Sequence, residues 1–122
     1  MYSGDTRPCE ALVAAGLGAT VLVHEATFGQ AYAEDAKAKK HSTVPEAVDV
    51  GRRMGARAVV LTHFSQRYAS RIEALEPARM ANVTVAHDLM KVSFPQLAWA
   101  PAVTDPMQLL WPELDGEGEE EA

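Results

Sequence analysis

The sequence predicts an α/β layer fold, and three observations carry that prediction. Thr20-Val21-Leu22-Val23 and Ala58-Val59-Val60-Leu61 are short apolar, β-branched runs of strand length. A stretch with helix signals at both ends separates them. Polar, chemistry-bearing residues follow each run directly: His24-Glu25 after the first, Thr62-His63 after the second. Continuous apolar runs of this length suit strands buried on both faces, and strands alternating with helices imply a layered sheet.

Taken in order, Gly4-Asp5-Thr6 reads as a turn, which normally follows a strand. Met1-Tyr2-Ser3 is too short to make one, so the chain is expected to open within a domain. Thr6 is placed to cap a helix that Pro8 opens, with Leu12, Val13 and Leu17 on one apolar stripe and Gly16 and Gly18 to stop it, about three turns in all. The first strand follows, then an Ala- and Lys-rich helix from Gln30 to Lys40 that ends at His41-Ser42-Thr43. Thr43-Val44-Pro45-Glu46 matches a capping box with proline in the first turn, which predicts a helix from Val44 to Met54 closed by Gly55. The second strand comes next. Beyond Tyr68 the pattern weakens, with a helix expected around Arg71 to Leu75 and strands at Val83-Thr84-Val85 and Lys91-Val92-Ser93. From Pro95 four prolines break up regular structure, and the last ten residues are expected to be disordered. The division is therefore a folded part over residues 1–94 and a proline-containing acidic tail over residues 95–122.

Length and composition agree with one globular core: 122 residues, 48% hydrophobic and 23% charged. The net charge of −6 belongs to the tail. Glu113, Asp115, Glu117, Glu119, Glu120 and Glu121 stand together there, and without them 11 of the 17 acidic residues remain against 11 basic ones. Charge thus argues neither for nor against RNA as a partner. A single cysteine, Cys9, excludes an internal disulfide framework and a cysteine-based zinc cluster, and it suits a reducing, intracellular compartment. No apolar run approaches the roughly 20 residues that span a bilayer, and no targeting segment is visible.

Asp5, His24, Glu25, His41 and His63 all fall at element ends. Three of them lie just past strand C-termini, the rim where α/β sheets build sites because side chains escape the packed layer there. Singly, each has a plainer reading: Asp5 as a helix-start carboxylate, His24 and His63 as strand-end histidines bonded to backbone, His41 as an exposed loop residue. Carboxylate oxygen and neutral imidazole suit zinc, but a catalytic zinc takes three protein ligands and an open position.

Four motifs go further than spacing does. Tyr2-Ser3-Gly4-Asp5-Thr6-Arg7-Pro8, His24-Glu25-Ala26-Thr27-Phe28, His41-Ser42-Thr43 and Thr62-His63-Phe64-Ser65-Gln66-Arg67-Tyr68 occur in the order and at the separations of the ribonuclease Z family, also called tRNase Z or the ELAC proteins. The last of these, with Ala86-His87-Asp88-Leu89-Met90-Lys91-Val92, most resembles the C-terminal part of the long eukaryotic form.

The resemblance implies the C-terminal half of a metallo-β-lactamase αββα sandwich, incomplete in this chain. It implies two zinc ions in the complete protein, with Asp5 as the bridging carboxylate and His63 as a terminal ligand. It further implies His41 as the general acid for the leaving 3′ oxygen, Glu25 as the carboxylate that orients it, and Arg67 as a phosphate-binding arginine. Such an enzyme removes 3′ trailers from precursor tRNA and works in the nucleus or the mitochondrion. The role carried to His24 is structural, a hydrogen bond to backbone or to a ligand, and His87 is not favoured as a ligand.

The family's His-x-His-x-Asp-His signature is absent from the sequence, as are the further upstream histidine and the tRNA-gripping arm. The chain alone is therefore expected to show little or no catalysis and to be poorly stable. The rival reading is a non-catalytic truncated isoform or fragment that folds partly, or that acts as an interaction module by pairing its open sheet edge with another chain, a homodimer included. A small-ester hydrolase of the same superfamily is a third, and it would not need the His41 and Arg67 motifs together.

Overall fold

A computed structural model describes residues 1–65 and 82–103 of the chain. The expected helix at Arg71 to Leu75, Arg67 and the acidic tail lie outside the described residues. The elements run α1 (Glu10–Ala15), β1 (Val21–Glu25), α2 (Ala33–Lys39), α3 (Val44–Met54), β2 (Ala58–Thr62) and β3 (Val83–Val85). Single 3₁₀ turns stand at Gln30–Tyr32, Phe94–Ala98 and Ala100–Val103.

The strands form one parallel sheet in the order β1-β2-β3, with Val21 opposite Ala58 and Glu25 opposite Thr62. The opening residues extend it. Tyr2 bridges in parallel to Val23, with Ser3 N donating to Val23 O at 3.0 Å and Val23 N to Met1 O at 2.9 Å. Three residues too short for an independent strand are thus held on the outer edge of β1.

The helix predicted from the capping box matches α3 in both bounds. Thr43 Oγ1 accepts from Glu46 N, the Glu46 carboxylate accepts from Thr43 N, and Gly55 closes the helix at φ +67. Its buried face, Val44, Ala47, Val48, Val50 and Met54, joins Val13, Leu22, Val59, Leu61, Val83 and Val85 in one core. Contact is close enough that a Cβ on Gly51 would lie 2.4 Å from Val59 Cγ2. Only glycine lets helix and strand approach this far.

Several expectations require correction. β3 is buried throughout, but β1 and β2 are not buried on both faces: Val21, Val23 and Val60 are only partly covered, because among the described residues α1 and α3 join the core on the other face. The first helix is shorter than expected, six residues capped by Cys9 without a side-chain bond, and Leu17 is 69% exposed. Thr6 does not cap it. Residues 6 and 7 are held elsewhere, by Glu25 and Glu46, so the helix cannot begin until after them. Lys91 to Ser93 form no strand. Ser93 instead caps the 3₁₀ turn that Pro95 enters, so regular structure continues past residue 94, and Ala100 is buried.

Candidate active site

The site lies beyond the C-terminal ends of adjacent parallel strands. Glu25 closes β1, and His63 follows directly after β2. Asp5 stands two residues past the segment paired to β1, after a turn at Gly4 with φ +60. His41 arrives from a distant loop. The chain at Phe28 bridges in parallel to Thr43, with Val44 N donating to Phe28 O at 2.9 Å, and this zips the loop after β1 to the loop before α3.

Glu25 is the hub. It is 1% exposed, and its two oxygens accept five hydrogen bonds. Oε1 accepts from Thr6 N at 3.0 Å and His41 Nδ1 at 2.8 Å. Oε2 accepts from Thr27 N at 3.1 Å, Thr27 Oγ1 at 2.9 Å and Ser42 N at 3.1 Å. A buried carboxylate is costly unless its lone pairs are satisfied, and here three loops satisfy them. The acceptor-only carboxylate also sets the histidine tautomer: His41 Nδ1 carries a proton, and Nε2 is the nitrogen left for other partners.

Burial pushes the Glu25 carboxyl up. Hydrogen bonds from the Thr27 amide, the His41 ring and the Ser42 and Thr6 amides outweigh it, so its pKa falls below the ordinary 4.5. Glu46 behaves alike, with burial opposed by Arg7 and Thr43. A carboxyl with a depressed folded pKa adds stability that is fully present above its unfolded value and is lost as pH falls through the folded value. Thermal melts of the chain on acidification should therefore hold steady down to about 4.5 and fall below it. Glu25→Gln should flatten that fall, and an unchanged slope would show that Glu25 is not linked to folding.

Asp5 and His63 face each other, Oδ1 to Nε2 at 3.6 Å, both more than half exposed. The His41 and His63 ring centroids lie 5.5 Å apart. One ligating atom of each of Asp5, His41 and His63 lies within 4.8 Å of the other two, the one such group that could hold a metal ion among the described residues. His63 adopts φ +62, a left-handed backbone rare for a residue with a side chain and found where structure over-determines a site. A carboxylate and two imidazoles are a donor set suited to zinc. The trio fits that metal.

His24 turns the other way. It is fully buried, and Nδ1 lies 2.6 Å from Glu25 O, the backbone hydrogen bond the sequence suggests. His87 is not in the cluster. Thr6, Thr27 and Ser42, which surround Glu25, and Arg7, which binds the His41 loop, are residues that the sequence reading gives no role at the site, Thr6 being expected only as a helix cap. Their presence inside the four motifs is the one signal that could have marked them.

No family model matches the chain. A mitochondrial tRNAse Z from Arabidopsis thaliana, TRZ4, is 48% identical to it over 103 residues, 84% of this chain and 11% of that protein. Human zinc phosphodiesterase ELAC protein 2 is 46% identical over 111 residues, 91% of this chain and 13% of its own length. The chain is related to the ribonuclease Z proteins. Its backbone agrees: a long-form RNase Z from yeast superposes with a TM-score of 0.71 at 36% identity, over 88% of this chain and 15% of that one. The metallo-β-lactamase fold protein YhfI from Bacillus subtilis, 20% identical with a TM-score of 0.60 over 70% of this chain and 35% of its own, shows the fold alone. The chain thus carries a partial parallel sheet of the metallo-β-lactamase fold and spans only 11% to 13% of the curated ribonuclease Z relatives named here.

Proposed function

We propose that the chain is a segment of a zinc-dependent endoribonuclease that removes 3′ trailers from precursor tRNA, cutting after the discriminator nucleotide and leaving a tRNA 3′-hydroxyl. The observation that carries this reading is the Glu25–His41 pair, 2.8 Å apart, beside the facing Asp5 and His63. In it Asp5 and His63 would hold zinc, two ions in the complete protein. Zinc held there supplies Lewis-acid chemistry at the phosphodiester.

The chain's own residues then account for the leaving group. As water adds to phosphorus and the bond to the tRNA 3′ oxygen breaks, that oxygen must take up a proton. His41 donates it from Nε2, while Nδ1–H stays on the Glu25 carboxylate, which orients the ring and stabilises its cationic form. Arg67 holds a phosphate near the scissile bond through its planar, charged fork. The remaining metal donors come from outside these 122 residues, which contain no His-x-His-x-Asp-His sequence. Two plant relatives are named mitochondrial, which favours that compartment. No helix among the described residues is long and apolar enough to cross a membrane. Cleavage of a precursor tRNA by the complete protein, with both new ends mapped, tests the reading; a 3′-phosphate on the tRNA product would reject it.

A further inference from the structure

We infer that Arg7 is a positioning residue for His41: it holds the three-residue loop from His41 to Thr43 against the loop that carries Asp5, and so aims the free ring nitrogen. The inference rests on the acid role proposed for His41.

The Arg7 guanidinium reaches both ends of that triplet. Nη1 donates to the His41 carbonyl oxygen at 2.6 Å and to Glu46 Oε2 at 2.8 Å, and Nη2 donates to Glu46 Oε1 at 2.5 Å. Glu46 Oε2 in turn accepts from Thr43 N at 2.9 Å. Between the two ends, Ser42 Oγ donates to Thr6 O at 2.6 Å. Each of the three consecutive residues is therefore tied to position 6 or 7, directly or through one carboxylate. The ring of His41 is held from two sides, its backbone by Arg7 and its Nδ1 by Glu25.

The chemistry needs an arginine at this point. A planar fork can satisfy a bidentate carboxylate and a carbonyl at once, whereas a lysine ammonium on a flexible stem cannot reproduce that geometry. The Arg7 and Glu46 side chains are each about 30% exposed, so the pair is partly shielded from water and salt, unlike an ordinary surface ion pair. None of the hydrogen bonds of Arg7 involves Asp5 or His63. Its loss should leave the metal-ligand pair in place while freeing the His41 backbone to drift.

A plainer role, tying the opening segment to α3 for stability alone, makes different predictions. The test compares Arg7→Lys and His41→Ala in the complete enzyme by single-turnover cleavage of two precursor tRNAs. One has the natural linkage. The other has sulfur in place of the 3′ oxygen at the scissile bond, a leaving group that departs without a proton.

On the natural linkage Arg7→Lys should slow cleavage on the order of 10–100-fold, the scale of a misplaced catalytic group, with KM little changed and zinc content equal to the parent. On the sulfur linkage most of that loss should vanish, as it should for His41→Ala. Arg7→Gln should be slower than Arg7→Lys on the natural linkage and be rescued in the same way. Equal losses of the Arg7 variants on both linkages, or no loss at all, would overturn the inference and leave His41 as the acid. A natural-linkage rate unaffected by His41→Ala would instead overturn the acid assignment itself, and this inference with it.

Discussion

Replacing Asp5 by alanine in the complete protein is expected to abolish both zinc occupancy and precursor tRNA cleavage, the largest loss of any single substitution in this segment. The side chain is 59% exposed, and among the described residues it faces His63 Nε2 at 3.6 Å, outside the core. Truncation should therefore leave the fold alone while removing the carboxylate from the donor set. Asp5→Asn should also fail, because a neutral amide cannot offset the charge of a bound metal ion. Metal analysis after dialysis, paired with a cleavage assay, reads both quantities. Full zinc content in the Asp5 variant would remove it from the ligand set.

His41→Ala is expected to behave differently, keeping its zinc and slowing the chemical step on the order of 10²–10⁴, the usual scale of general acid catalysis. The structure makes this a sharp test, because the ring stands where two roles compete. Its Nδ1 is engaged by Glu25, so a single nitrogen, Nε2, remains either to donate a proton or to join Asp5 and His63 as a ligand to the metal proposed there. Zinc lost with His41 would favour the ligand. Glu25→Gln should slow cleavage less, and the double variant should be little worse than His41→Ala alone, since the pair acts as a unit. Glu25→Gln should also lower stability by about 1–3 kcal/mol. Whichever way the new amide turns, its NH₂ meets donors: Thr6 N and His41 Nδ1 on one side, or Thr27 N, Thr27 Oγ1 and Ser42 N on the other.

Much of this was legible without coordinates, and the part that was legible is local. The helix α3 carries its start in Thr43-Val44-Pro45-Glu46 and its stop in Gly55, signals that act within one turn. The runs at residues 20–23 and 58–61 became β1 and β2, and the placement of His24, Glu25 and His63 just at their ends followed directly. Where local signals competed with distant ones, the distant ones won. Thr6 is a sound N-cap by composition, yet its amide is taken by Glu25, nineteen positions along the chain, and the helix begins later in consequence.

The sequence by itself therefore determined the α/β layering, the strand and helix kernels and, through its four motifs, the family to which the chain is related. Tertiary structure alone decided that Glu25 is a buried hub shared by three loops. It also decided that Asp5, His41 and His63 converge within 4.8 Å, and that Arg7 reaches across to the loop of His41. The reason is physical. Hydrogen bonds such as Arg7 to Glu46, 39 positions apart, join loop ends that the parallel register of β1 and β2 places at one rim. No pattern of neighbouring residues encodes which distant donor will satisfy a buried carboxylate.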